Sequence, residues 1–129
     1  KVLVDQLRSY GYAVSIDDYG AGYTGITIWQ QLDFDIVKLD KGFLTEEKAI
    51  KENNEILLPK LIQIAQCLGI EVIGEGVETA EQCQMLASYG CNQAQGFYFS
   101  PAIPPDMFYE NYQKMHGCYS LPYPVLGGR

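Results

Sequence analysis

Basic residues are scarce: nine Lys and Arg stand against sixteen Asp and Glu, for a net charge of −7. That balance excludes a surface built for duplex nucleic acid, whose binding depends on clustered cations neutralising phosphates. An acidic protein can still take a small phosphate ester when divalent cations lie between the two anions. Histidine occurs once, at His116 beside Gly117, where it suits a helix-terminal residue better than a metal ligand. The four cysteines, Cys67, Cys83, Cys91 and Cys118, include no CxxC, so free thiols packed in helices are expected rather than a zinc or redox site. No apolar run reaches membrane-spanning length and the N-terminus lacks signal-peptide organisation, which makes a cytoplasmic location the expectation. Neither GxxxxGK[ST] nor GxGxxG after a first strand is present, so P-loop and dinucleotide chemistry are excluded.

What is present is a repeated strand-then-helix plan. The clearest unit is Glu71-Val-Ile-Gly-Glu75-Gly-Val-Glu78-Thr79, an apolar strand that ends in carboxylates and turns into a helix at a Thr79/Gln82 capping box. A helix over Lys1–Tyr10 stops at Gly11, and Tyr12–Ile16 reads as a strand with Asp17 and Asp18 at its end, followed by the glycine loop of Gly20 and Gly22. Thr24 caps a predicted helix carrying Ile26, Ile28, Trp29 and Leu32, and Asp35–Asp40 is the next strand, with Lys38 among apolar neighbours. A long helix is predicted over Asn54–Leu68, a helix over Ala80–Tyr89, a strand over Asn92–Phe99 containing Gln95, and a closing helix over Asp106–Met115. Residues 1–120 read as one domain segment and 121–129 as a tail without periodicity.

Four such units with no hairpin signal imply parallel strands in an α/β fold, joined by right-handed crossovers. A four-stranded open sheet and half of an eight-stranded β/α barrel both fit. The barrel is favoured because Asp17, Asp18, Lys38, Glu75 and Gln95 all stand at the same strand edge, where a barrel gathers its functional groups. Three carboxylates at such a mouth repel phosphate until cations fill it. Adjacent aspartates can share two ions about 3.5–4 Å apart, and oxygen ligands of this kind suit Mg²⁺ or Mn²⁺. Lys38 then either orients the attacking water and neutralises the transition state, or forms a structural ion pair with Asp17 or Asp40. Gln95 either donates to a phosphate or metal-bound water, or is an interior amide bonded to a neighbour. Glu75 and Glu78 also admit the reading of solvated loop charges.

Four segments in register, Ser15-Ile-Asp-Asp-Tyr-Gly-Ala-Gly-Tyr23, Val37-Lys-Leu-Asp40 with Phe43, Gly74-Glu-Gly-Val-Glu-Thr79 and Gln95-Gly-Phe-Tyr-Phe99, resemble the successive signatures of the EAL domain, the bacterial cyclic di-GMP phosphodiesterase. The resemblance runs from residue 1 to about 112. It implies the C-terminal half, four βα units, of an EAL-type TIM-like barrel, and metal-dependent hydrolysis of cyclic di-GMP to linear pGpG. By the same resemblance Asp17 bridges two metals, Asp18 binds the second, Lys38 holds the attacking water, and Glu75 is a ligand or general base. Glu78 supports the loop or substrate, Gln95 lines the site, and the loop of Gly20 and Gly22 couples the site to a homodimer interface.

The Glu-Ala-Leu signature and the Asn and Glu that complete the metal site in the family are missing from these residues, and are expected upstream. Tyr19 stands for the usual Phe, Thr24-Gly25 for a Ser pair, and Gly74 where Ala is common. The expectation is therefore an incomplete, inactive part of a catalytic domain, with a fused GGDEF or sensory domain, or a membrane anchor, in the parent protein. The alternatives are a non-catalytic cyclic di-GMP sensor of the same fold and a barrel phosphodiesterase acting on another ester.

Overall fold

The structure is a computed structural model and describes residues 1–22 and 25–116. Its first compact unit runs from Lys1 to Phe99 and its second begins at Ser100. In chain order the first unit holds α1 (Val2–Ser9), β1 (Ser15–Tyr19), α2 (Ile28–Gln31), β2 (Ile36–Leu39), a 3₁₀ turn (Lys41–Leu44), α3 (Lys48–Cys67), β3 (Glu71–Gly74), α4 (Ala80–Ser88) and β4 (Gln93–Ala94). The four strands form one parallel sheet in the order β1-β2-β3-β4. A helix separates each strand from the next, as parallel pairing requires.

The core lies between the central strands and their helices. Val37 and Leu39 from β2 and Val72 from β3 meet Leu58, Ile62 and Ala65, which share one face of α3, and Leu86 of α4. Leu58, Ile62, Leu86, Val37 and Val77 are fully buried. Each such side chain contributes about 1.5–3 kcal/mol relative to exposure. The helix α1 buries none of its residues, and Val2, Leu3 and Leu7 are exposed.

Several boundaries differ from the sequence expectation, each for a local reason. The first strand starts at Ser15 rather than Tyr12, because Tyr12 N–H closes the end of α1 on the Leu7 carbonyl and Val14 N–H goes to the Asp35 carboxylate. The segment after the glycine loop forms a single helical turn with Thr27 at its cap position; Thr24 lies outside the described residues. Trp29 of that turn is buried edge-on against Tyr19 and Phe34, at 5.4 and 5.9 Å between ring centres.

The long helix α3 begins at Lys48, not Asn54. Its first residues are mostly exposed and so carry no apolar repeat to announce them. Pro59 lies inside this helix without ending it. Gly69, at φ 73°, follows its C-terminus.

The strand expected over Asn92–Phe99 pairs only at Gln93 and Ala94. Beyond them Gln95 N–H still donates to the Gly74 carbonyl at the end of β3 at 2.8 Å, and the chain then bonds to the loop after β3, with Val77 N–H donating to the Gln95 carbonyl at 3.0 Å and Tyr98 N–H to the Val77 carbonyl at 2.9 Å. The capping box on α4 is present as expected: Thr79 accepts from Gln82 N–H, and the Gln82 side chain accepts from Thr79 N–H.

Of the cysteines, Cys67 ends α3 and Cys83 lies in α4. Cys91 is not helical; it is buried just after α4, with its thiol donating to the carbonyls of Val72 and Gln93. Cys118 and the 121–129 tail lie outside the described residues. In the second unit α5 (Pro105–His116) stacks Phe108 on Tyr112. Among the described residues no helix is long and apolar enough to cross a membrane.

Candidate metal centre

The site begins with an irregularity in the ladder between β1 and β2. Ile16 pairs with Val37 and Tyr19 with Leu39, so the two residues between, Asp17 and Asp18, stand against the single residue Lys38. Two residues opposing one is the arrangement of a β-bulge, which bends the strand and re-aims its side chains. Asp18 takes φ 52°, and Asp is among the few residues that tolerate that region because its short polar side chain bonds locally. Successive strand residues ordinarily point to opposite faces. Here the carboxylates of Asp17, Asp18 and Glu75 each bring an oxygen within 4.8 Å of the others.

Glu75 reaches the cluster from the next strand but one. It follows β3 directly, its N–H bonded to the Leu39 carbonyl at 3.0 Å, so it stands where β3 leaves the sheet beside β2. Lys38 lies between the two sides: its Nζ is 2.7 Å from Asp17 Oδ1 and 2.5 Å from Glu75 Oε1. Gln95, just past β4, donates from Nε2 to the same Glu75 oxygen at 2.5 Å. All four strands therefore deliver a polar side chain to the same sheet edge. Side-chain exposure falls from 65% at Asp17 to 24% at Lys38 and 13% at Glu75, which makes Glu75 the floor of the site and Asp17 its solvent side.

The Lys38 ammonium is held protonated well above the ordinary lysine range, by its bond to Asp17 first and to Glu75 second. The same bond lowers the Asp17 carboxyl below the usual aspartate value. Lys38 is thus a fixed cation and hydrogen-bond donor. Of the two readings left open for it by the sequence, the structure shows the ion pair, made with Asp17 and with Glu75, while Asp40 instead caps the 3₁₀ turn through Gly42 N–H.

Three carboxylates against one ammonium leave the cluster net negative, and every candidate donor is a hard oxygen. That donor set fits a hard divalent cation. Glu78 is outside the three-carboxylate group; its backbone N–H donates to Gln82 Oε1 at 2.8 Å at the entrance to α4. Gly20 packs directly on the Phe43 ring, whereas Gly22 has open space beside it. Sequence reasoning missed the 3₁₀ turn on which both carboxylate-bearing loops rest. The Asp40-x-Gly42 capping pattern was its one legible signal.

Residues 1–102 match the family model described as EAL domain. The cyclic di-GMP phosphodiesterase NbdA of Pseudomonas aeruginosa is 36% identical over 102 residues, covering 79% of this chain and 13% of its own length. Among solved structures, the EAL domain of Mycobacterium smegmatis DcpA superposes with a TM-score of 0.78 at 29% identity, over 87% of this chain and 50% of that one. Klebsiella pneumoniae BlrP1, solved as a complex with manganese and cyclic di-GMP, gives a TM-score of 0.68 at 32% identity, over 74% of this chain and 24% of its own. The four-stranded sheet described above is that of an EAL-type β/α barrel.

Proposed function

The chain belongs to the EAL domain family, and from that membership we propose that it supplies the acidic half of a divalent-metal site that hydrolyses cyclic di-GMP to linear pGpG. The observation that carries this reading is the convergence of Asp17, Asp18 and Glu75 around the Lys38 ammonium. The manganese and cyclic di-GMP held by BlrP1 support the choice of ion class and substrate. Because the chain spans 13% of NbdA and 50% of the DcpA domain, further ligands are assigned to residues outside it.

Asp17, Asp18 and Glu75 would hold the divalent ions. When bound, such ions lower the pKa of a coordinated water and stabilise charge on phosphoryl oxygens. Lys38, whose ammonium lies beside Asp17 and Glu75, acts as a donor and positive charge toward a water or a phosphoryl oxygen. Its hold on Asp17 and Glu75 keeps two like charges together at the rim before any cation arrives. Gln95 fixes the rotamer of Glu75 through its amide. In this reading Glu78 supports the loop leading to α4, and Gly20 lets the loop after Asp18 seat on Phe43.

Among the described residues β1 and β4 each pair on one side only, which supports further strand pairing with more chain or with a second copy. A homodimer and a fused GGDEF or sensory domain belong to the same proposal. The test is calorimetry of the full-length protein with cyclic di-GMP and Mg²⁺, followed by chromatographic analysis of the products. Release of pGpG supports the enzyme; tight binding without product favours a sensor; indifference to cyclic di-GMP with cleavage of another diester overturns the substrate.

A further inference from the structure

The two loops that carry the carboxylates both rest on the 3₁₀ turn Lys41–Leu44. On one side a Cβ on Gly20, two residues after Asp18, would overlap the Phe43 ring. On the other a Cβ on Gly76, the residue after Glu75, would overlap Lys41 Cβ. Approaches this close mean that neither loop can move toward the turn without displacing it.

The turn itself is tied by amide side chains. Gly42 and Leu44 offer carbonyls, accepted bonds coming from Asn54 Nδ2 of α3 at 3.0 Å and Gln82 Nε2 of α4 at 3.2 Å. Behind the turn lies a cavity of about 90 Å³ bounded in part by Leu44, Asn54, Leu58, Gln82 and Met85; Leu44 anchors the turn in the core, and the two hydrogen bonds tie its backbone to α3 and α4. Gln82 works in both directions. Its Oε1 accepts from the N–H groups of Glu78 and Thr79 at 2.8 and 3.2 Å, closing the loop that starts at Glu75, while its Nε2 reaches Leu44. A capping box accepts Glu or Gln equally well at this position. Only Gln can make the second bond.

We propose that Gln82 is a positioning residue of the metal centre, one that locks the Glu75 loop to the 3₁₀ turn and, through Phe43 and Gly20, to the Asp17–Asp18 bulge. The proposal rests on the reading of that cluster as a cation site. Asn54 is its counterpart on α3.

The test uses the full-length protein and the substitutions Gln82→Glu, Gln82→Ala and Asn54→Ala. Gln82→Glu keeps the cap and loses the bond to Leu44. It is expected to bind Mn²⁺ about tenfold more weakly, the low end of the loss seen when the support around a metal ligand is disturbed, and to speed amide exchange at Ala21 and Val77 in the metal-free protein. Gln82→Ala is expected to lose melting temperature as well. Asn54→Ala reproduces the faster exchange at Ala21 without altering charge or the α4 cap.

A Gln82→Glu protein with wild-type Mn²⁺ affinity and unchanged exchange at Ala21 overturns the proposal and leaves Gln82 a helix cap. If wild-type protein takes up no Mn²⁺, the functional reading falls, and the exchange at Ala21 and Val77 still decides whether the two loops are coupled through Gln82.

Discussion

Asp17 and Asp18 are neighbours on one strand, yet both place a carboxylate oxygen in the group, 4.8 Å across at most, that they form with Glu75. Regular alternation would send them to opposite faces. The bulge opposite Lys38 and the positive φ of Asp18 remove that obstacle. A backbone conformation that is locally unfavourable is thereby kept for what it does to two side chains.

Asp18→Gly separates the two effects. Glycine accepts the positive φ at no steric cost, so the variant is expected to gain up to about 1 kcal/mol of stability while losing a metal ligand. Thermal melts and Mn²⁺ titration on the same protein check this. A variant that is less stable than wild type would mean the backbone at Asp18 is not strained.

Lys38→Ala should lower turnover by about 10²–10³-fold, the usual loss when a charge-stabilising donor is removed. Divalent-ion affinity should hold or rise, because the ammonium no longer competes for Asp17 and Glu75. Steady-state kinetics beside a metal titration distinguishes this from Asp17→Ala, for which both quantities should fall.

Gly74 packs against Leu86, and an alanine there would press its Cβ on the Leu86 methyls. Leu86 is fully buried, so Gly74→Ala is expected to cost about 1–3 kcal/mol. The double variant Gly74→Ala/Leu86→Val should recover part of it, as read from denaturant midpoints. Equal stability of the single variant would show that Leu86 has room to move.

Burial pushes the Cys91 thiol above its ordinary value of 9.0, whereas Cys67 is exposed. Native alkylation at pH 8 should therefore label Cys67 first and spare Cys91 until the protein unfolds, as peptide mapping would show. The sign of the linkage follows. A thiol whose folded pKa is raised contributes stability that is intact below 9.0 and is lost as pH climbs from there through the folded value. Cys91→Ala should flatten that alkaline loss.

Much of this arrangement was legible in the residues. Apolar strands ending in polar residues, and glycines closing helices, sufficed for the parallel order and for the shared edge of Asp17, Lys38, Glu75 and Gln95. The Thr79/Gln82 box was legible because capping is local chemistry. The bulge was not, since a ladder slip depends on the partner strand and leaves no mark in the spacing of Ile16 and Tyr19. The brevity of β4 was hidden for a similar reason: Gln95 and Tyr98 bond to the loop at Val77, a contact between distant segments. The 3₁₀ turn was obscured because its ties come from Asn54 and Gln82, both remote in sequence.

That Asp17, Asp18 and Glu75 act as one cation-binding group is tested most directly by titrating Mn²⁺ into full-length protein, wild type beside Asp17→Asn, Asp18→Asn and Glu75→Gln, and following the bound ion by its paramagnetic resonance. Each single neutralisation should weaken binding by at least about tenfold, with no change in fold. Wild-type affinity in any two of the three variants would contradict a shared site.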